Sequence, residues 1–154
     1  MRAREKMTVG VTAVLEGDEA LRRKLRRVAS ATKEKIIPRA VKSALLPIKK
    51  AVKRRMPVGT RSRRPGHTPG DLRRSIEAKV KTYRGSGNVW GGVGPKKGAP
   101  DEPGLRVHWV EFGRPAHNVP AQAPLRKGLQ EAKGEAQRVL RKRAWDGIKR
   151  EGTR

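Results

Sequence analysis

The stretch from Pro38 to Met56 constrains this chain most. Val41, Ala44, Leu45, Ile48, Ala51, Val52 and Met56 recur at helical spacing and fall within one arc of a helical wheel. Arg39, Lys42, Lys49, Lys50, Lys53 and Arg54 fall on the opposite side. Such a helix must turn its apolar face into a core and leave a row of cations outside. The following stretch, 57–70, reads PVGTRSRRPGHTPG, and its three prolines and three glycines exclude a helix or a central strand. It is a basic loop hung on a basic helix, and it adds Arg61, Arg63 and Arg64 to the cationic set. From Lys35 to Gly70 there are eleven Lys or Arg residues and no Asp or Glu. A solvated surface is the plainer explanation of a charge run, but ordinary surfaces mix both signs. Like charges without internal partners repel, so this stretch calls for a partner that supplies negative charge: DNA or an acidic protein.

Composition widens that expectation. The chain has 154 residues, a size that suits one domain, and a formal net charge of +25. Hydrophobic residues make up only 34% and aromatics 3%, so the core must be thin and subunit contacts are expected to complete it. There is no cysteine, which rules out a disulfide framework and a thiolate metal site. No run approaches the roughly 20 apolar residues of a membrane span. The basic start MRAREKM is followed by too short an apolar segment for a signal peptide. A soluble protein made in a reducing compartment is expected, with no membrane partner.

Along the chain, residues 1–6 read as a basic arm. Met7, Val9, Val11, Ala13 and Leu15 alternate with Thr8, Gly10 and Thr12, which predicts a half-buried strand. Asp18 is a plausible N-cap for a first helix, with Leu21, Leu25 and Val28 on one face, reaching about Ile36. Pro38 can start the second helix, so the pair forms one bent rod or two rods. Pro47 lies inside the second helix and predicts a kink near Ser43–Pro47. Ile76, Ala78, Val80 and Thr82 alternate as a second strand, and 89–94 (VWGGVG) pairs with it as a hairpin. The segment 105–112 (LRVHWVEF) fits either a strand or a helix. From Pro124 a last helix carries Leu125, Leu129, Ala132, Ala136, Val139 and Leu140 on one face. Gly128 and Gly134 each weaken it by about 1 kcal/mol relative to alanine. Beyond Leu140 the period is lost and fraying is expected. The fold class is α+β: an N-terminal strand, a long kinked helix or helix pair, an antiparallel hairpin, and a C-terminal helix packed on a small sheet. The domain plan is an arm (1–6), one connector domain (7–140) containing the basic loop (57–70), and a basic tail (141–154).

Nothing in the sequence resembles an enzyme. The serines lack a nucleophile-elbow context, and Gly91, Gly92 and Gly94 lack the GK[ST] of a phosphate loop. A metal site from His108, Glu111 and His117 has no sharp motif behind it, because His117 lies across a proline-containing loop. No catalytic, cofactor or metal residue is assigned. Base readout is equally unsupported, since there is no zinc-finger spacing and no aromatic stacking platform. Lys and Arg can still bind phosphates without reading sequence.

Two strings of residues resemble a known family. Met56-Pro57-Val58-Gly59-Thr60, then Thr68-Pro69-Gly70-Asp71-Leu72-Arg73-Arg74-Ser75-Ile76, is similar to the P-x-x-T-G-x-L-R-x-S-I signature of the neck or tail-completion proteins of long-tailed bacteriophages. A basic insertion, roughly 61–67, interrupts it. Val110-Glu111-Phe112-Gly113, then Pro120-Ala121-Gln122-Ala123-Pro124-Leu125-Arg126-Lys127-Gly128-Leu129, is similar to that family's V-E-F-G-T and P-A-x-P-F-L-R-x-A-L. Arg114 replaces the family's Thr, and Ala123-Pro124-Leu125 lacks its aromatic anchor. The resemblance covers about residues 7–140. It implies a structural virion protein at the head–tail junction, made in the host cytoplasm, that forms a ring of six or twelve copies around the DNA channel. Its implied partners are head-closure or connector proteins on one side and tail-terminator or tail-tube proteins on the other. Genomic DNA in the lumen is a further implied contact. Pro57, Thr60, Gly70, Leu72, Ser75, Ile76, Glu111, Phe112, Gly113, Pro124 and Leu125 are the motif positions. Pro57 is expected to stop the helix, and Gly70 and Gly113 to permit turns. Leu72, Ile76, Phe112 and Leu125 are expected in the core. Glu111 is expected to pair with an Arg or to hold a backbone turn. The alternative class is a non-sequence-specific nucleic-acid-binding protein of the ribosomal or nucleoid type.

Overall fold

The computed structural model describes residues 18–59, 68–83, 86–96, 103–118 and 120–153. In chain order these form α1 (Asp18–Ala31), a π-helical turn (Thr32–Ile36), α2 (Ile37–Arg55), α3 (Asp71–Ser75) and the strands β1 (Ile76–Thr82) and β2 (Val89–Pro95). Then come α4 (Pro103–Phe112), a short 3-10 turn (Pro115–His117) and α5 (Pro124–Gly152). The strand expected at 7–15 lies outside the described residues, as do Thr60, Arg61, Arg63 and Arg64 of the basic loop.

α1 and α2 run on as one rod, joined by the wider turn at Thr32–Ile36. That turn ends just before Pro38, whose ring would crowd the carbonyl of Glu34 in a regular helix. The Ile37 N–H bonds instead to the Thr32 carbonyl, one residue further back than an α-helix allows. α2 stays α-helical through Ser43–Pro47, the site where a kink was expected. It stops at Met56, which is extended because Pro57 follows.

α2 is the middle layer. Its arc of Ala40, Ala44, Leu45, Ala51, Val52 and Met56 is buried, with Val41 and Ile48 half-buried. The antiparallel hairpin, in register from Ile76↔Pro95 to Thr82↔Val89, covers one flank, with Gly91 close against Val41 and Leu45. α5 covers the other flank and runs antiparallel, with Gly128 against Val52 and Gly147 against Ile36. This corrects one detail of the expected architecture, because α5 packs chiefly along α2 rather than on the sheet. The reason lies in the buried stripe of α5, which is Pro124, Gly128, Ala132 and Ala136. Four-residue spacing of small side chains makes a shallow ridge that fits another helix closely. Leu129, expected on that face, is exposed instead.

The tail is a second correction. Residues 141–154 were expected to fray, yet α5 is helical to Gly152. Ala144, Gly147 and Ile148 continue the stripe and are half-buried along the rod. A glycine does not register as an apolar residue, so the period looks lost there. α1, by contrast, extends past the end of α5, and Leu21 and Leu25 are left exposed.

The four best-covered apolar side chains that touch one another are Val52, Met56, Ile76 and Val107, with Ile48, Leu72, Val93 and Leu125 packed around them. α4 resolves the ambiguity at 105–112 in favour of a helix. Val107 and Glu111 share its inner face, whereas His108 and Phe112 share an outer one. Phe112 was expected in the core and is instead 58% exposed. Its ring lies on His108 one turn back, with centroids 4.7 Å apart.

Gly128 and Gly134 look alike in the sequence but should respond oppositely to alanine. A Cβ at Gly128 would sit 2.9 Å from the backbone of Val52, whereas one at Gly134 meets nothing within 4 Å. Gly134→Ala is expected to stabilise by about 1 kcal/mol and Gly128→Ala to destabilise by about 1–3 kcal/mol. Urea denaturation of the two variants measures both signs.

Candidate functional site

The cationic face of α2 lies where the helical period places it. Arg39, Lys42 and Lys50 are exposed, and Lys49 and Lys53 are half-buried along their stems. Arg54 is engaged within the fold, since it and Arg55 both pair with Glu131 of α5, with Arg55 Nε 2.8 Å from the carboxylate. An exposed pair of this kind contributes at most about 1 kcal/mol. Leu46 sits among these cations on the wheel and is exposed. Nothing in the sequence pattern alone identifies Glu131, because it lies far along the chain on the polar side of α5.

The basic loop springs from a tied base. The Gly70 N–H donates to the Val58 carbonyl at 2.7 Å, with Gly70 in the left-handed region at φ 85. Asp71 then accepts from the Thr68 backbone N–H at 2.7 Å and from the Thr68 hydroxyl at 2.6 Å. The Arg74 guanidinium donates to the same carboxylate. These bonds, the Thr68 hydroxyl first, hold the Asp71 carboxyl well below the usual carboxylate range. Downstream, the Ser75 hydroxyl donates to the Leu72 carbonyl at 2.8 Å, and Ile76 is fully buried. The first motif string is therefore a clamp that closes the loop and delivers the chain into β1.

The second motif string is one joint between α4 and α5. Glu111 is 6% exposed and accepts from the Leu125 N–H at 2.7 Å and the Arg126 N–H at 3.1 Å. The first-turn N–H groups of a helix have no partner in the helix itself. Ala123, at the cap position, has no side-chain acceptor to offer them, and Pro124 has no N–H. Glu111 fills that role from another helix, and its charge also suits the positive end of α5. Of the two expectations for this residue, the backbone role is the one seen. Gly113 lets the chain leave α4 with φ 81, its N–H bonding the Trp109 carbonyl at 2.8 Å. The Gln122 N–H bonds the Val110 carbonyl at 2.9 Å and draws the connection back. Arg114 stacks its guanidinium 4.6 Å above the Trp109 ring.

A notch opens where α5 meets the wide turn of the rod. It has a volume of about 600 Å³ and is lined by Lys35, Ile36, Arg39, Ala40 and Ser43 on one side. Arg143, Gly147, Arg150 and Glu151 line the other. Of the cations in this set, Arg39 is the one singled out as a contact residue from the sequence, with Lys35 counted in the basic stretch. The others come together because a Cβ at Gly147 would lie 2.6 Å from Ile36, so only glycine lets α5 approach. Among the described residues no group of three His, Cys, Asp or Glu side chains is placed to hold a metal. No helix there is long and apolar enough to cross a membrane.

A family model described as "Bacteriophage HK97-gp10, putative tail-component" matches residues 19–113, more than half of the chain. The match runs from the first turn of α1 to the glycine that ends α4. No curated protein and no solved structure matches the chain.

Replacing Glu111 by alanine is expected to cost about 3 kcal/mol in urea denaturation, because two N–H groups lose a charged acceptor at a buried joint. Glu111→Gln keeps one acceptor oxygen and should recover about half of that loss. For Asp71, an NMR titration should show a midpoint below that of an ordinary aspartate, and Thr68→Ala should move it upward. With the folded value depressed, the stabilisation from this group is present above about pH 4 and is lost as the pH falls toward the folded value.

Proposed function

The chain belongs to the HK97-gp10-like family of bacteriophage tail components, and from that membership we propose that it is a ring subunit at the head–tail junction of the virion. The observation that carries this reading is the imbalance between what the subunit buries and what it leaves outside. Among the described residues ten apolar residues are buried, and five of them are alanines. Ten large apolar side chains are exposed among the described residues, including Trp90, Trp109 and Trp145. A lone subunit gains little from alanine burial, at about 25 cal/mol per Å² of apolar area. Closure into a symmetric ring would cover tryptophans at subunit boundaries, where such side chains contribute most.

In this reading the ring has six or twelve copies and joins the head-closure proteins to the tail-terminator or tail-tube proteins. The motif clamp and the Glu111 joint hold the subunit's own shape. Arg39, Lys42, Lys49, Lys50 and Lys53, with the loop residues Arg61, Arg63 and Arg64, face acidic neighbours or the DNA of the channel. Contacts with phosphates and not with bases suit a conduit, because they do not hold the genome at one place. The chain itself performs no bond-making step.

The protein should appear in purified particles at a fixed ring stoichiometry by quantitative mass spectrometry, and its deletion should leave unjoined heads and tails. Its absence from particles would overturn the proposal. Within it, the triple variant Arg39→Glu, Lys42→Glu, Lys50→Glu should lose joining while keeping its helical circular dichroism. These three cations are exposed, whereas Arg54 pairs with Glu131.

A further inference from the structure

We propose that the notch between the wide turn of the rod and the end of α5 is a binding site for the phosphodiester backbone of duplex DNA. Four cations, Lys35, Arg39, Arg143 and Arg150, line it together with the Ser43 hydroxyl and one carboxylate, Glu151. A cavity of that volume spans about 10 Å, close to the Debye length at 0.1 M salt. The four charges therefore act on one another and jointly on whatever occupies the notch. Even with Glu151 among them the cations are in excess, and holding them together costs free energy unless a further anion is present. The fold nevertheless enforces the approach, because Gly147 seats α5 directly on Ile36.

The chemistry of the lining narrows the occupant. Three of the four cations are arginines, whose planar forks match phosphate oxygens in pairs. Among the described residues no aromatic side chain lines the notch, so they offer no stacking platform for a base. Arg39 belongs both to the notch and to the exposed row of Lys42 and Lys50, so the positive surface continues from the notch along α2. A continuous track of this kind suits a linear polyanion with evenly repeated charges better than a short acidic peptide. The notch stands on its own geometry, whereas the choice of DNA as occupant rests on the virion placement proposed above.

The test is fluorescence anisotropy of the full-length protein with two duplexes of unrelated sequence, titrated over salt. The double variant Arg143→Ala, Arg150→Ala is compared with Lys79→Ala, Lys133→Ala, which removes the same charge from exposed positions outside the notch. Both should keep the parent circular dichroism. The notch variant is expected to bind both duplexes about tenfold more weakly at about 0.1 M salt, and to lower the salt slope by about two phosphate contacts. The charge-matched variant should change affinity less than about twofold. Equal losses in the two variants would show that only overall charge matters and would overturn the notch. Parent protein that binds polyglutamate through these arginines but not DNA would replace the nucleic acid by an acidic protein and overturn the proposal as stated. Either failure leaves the junction reading standing, because that reading is judged by the protein's presence in particles.

Discussion

The close approach of α5 to α2 is the constraint on which the rest of the molecule depends. Gly128 touches the backbone of Val52 at one end and Gly147 touches Ile36 at the other. Between these points Ala132 and Ala136 on α5 are buried, as are Ala40, Ala44 and Ala51 on α2. Small side chains let two helix backbones come near enough for dispersion contacts along their whole length. Large residues would push α5 outward and open the core formed by Val52, Met56, Ile76 and Val107. The same approach leaves α2 with one free side, where Lys42 and Lys50 are exposed, while Arg54 and Arg55 reach Glu131 on α5. It also draws Arg143 and Arg150 toward Lys35 and Arg39, so the cationic notch is a by-product of tight packing.

Carboxylates are scarce in this chain, and three of them sit at joints. Glu111 caps α5 from α4, Asp71 closes the base of the basic loop, and Glu131 ties Arg54 and Arg55 to α5. Each connects segments that would otherwise be joined only by apolar contact. In a protein with a formal net charge of +25, self-repulsion favours expansion. A few acids placed where segments meet oppose that tendency locally. This is the physical link between the small core and the family's motif positions.

Much of this was legible from residue order alone. The period of Val41, Ala44, Leu45, Ile48, Ala51 and Val52 located α2 and its buried side. Pro57 ended the helix, and the alternation from Ile76 to Thr82 located β1 of the hairpin. The motif strings marked the residues that tie the loop and the α4–α5 joint. The sequence was silent where an outcome depended on a distant partner. Phe112 looked like core because it is large and apolar, but α4 turns Val107 and Glu111 inward and leaves Phe112 on His108. Glu111 had two readings, and only the position of the α5 N-terminus chose between them. Residues beyond Leu140 looked unstructured because Gly147 carries no apolar side chain to count.

What residue order determined by itself was local: the amphipathic helix, the sign and placement of charge, and the turns. These follow from spacing, side-chain type and backbone restriction, and all act within a few residues. Tertiary structure alone decided that α5 lies on α2 and not on the sheet, that Gly128 and Gly134 are unlike, and that four cations share one notch. Those outcomes depend on how near two distant backbones can come, and that distance is set by the residues of both helices together.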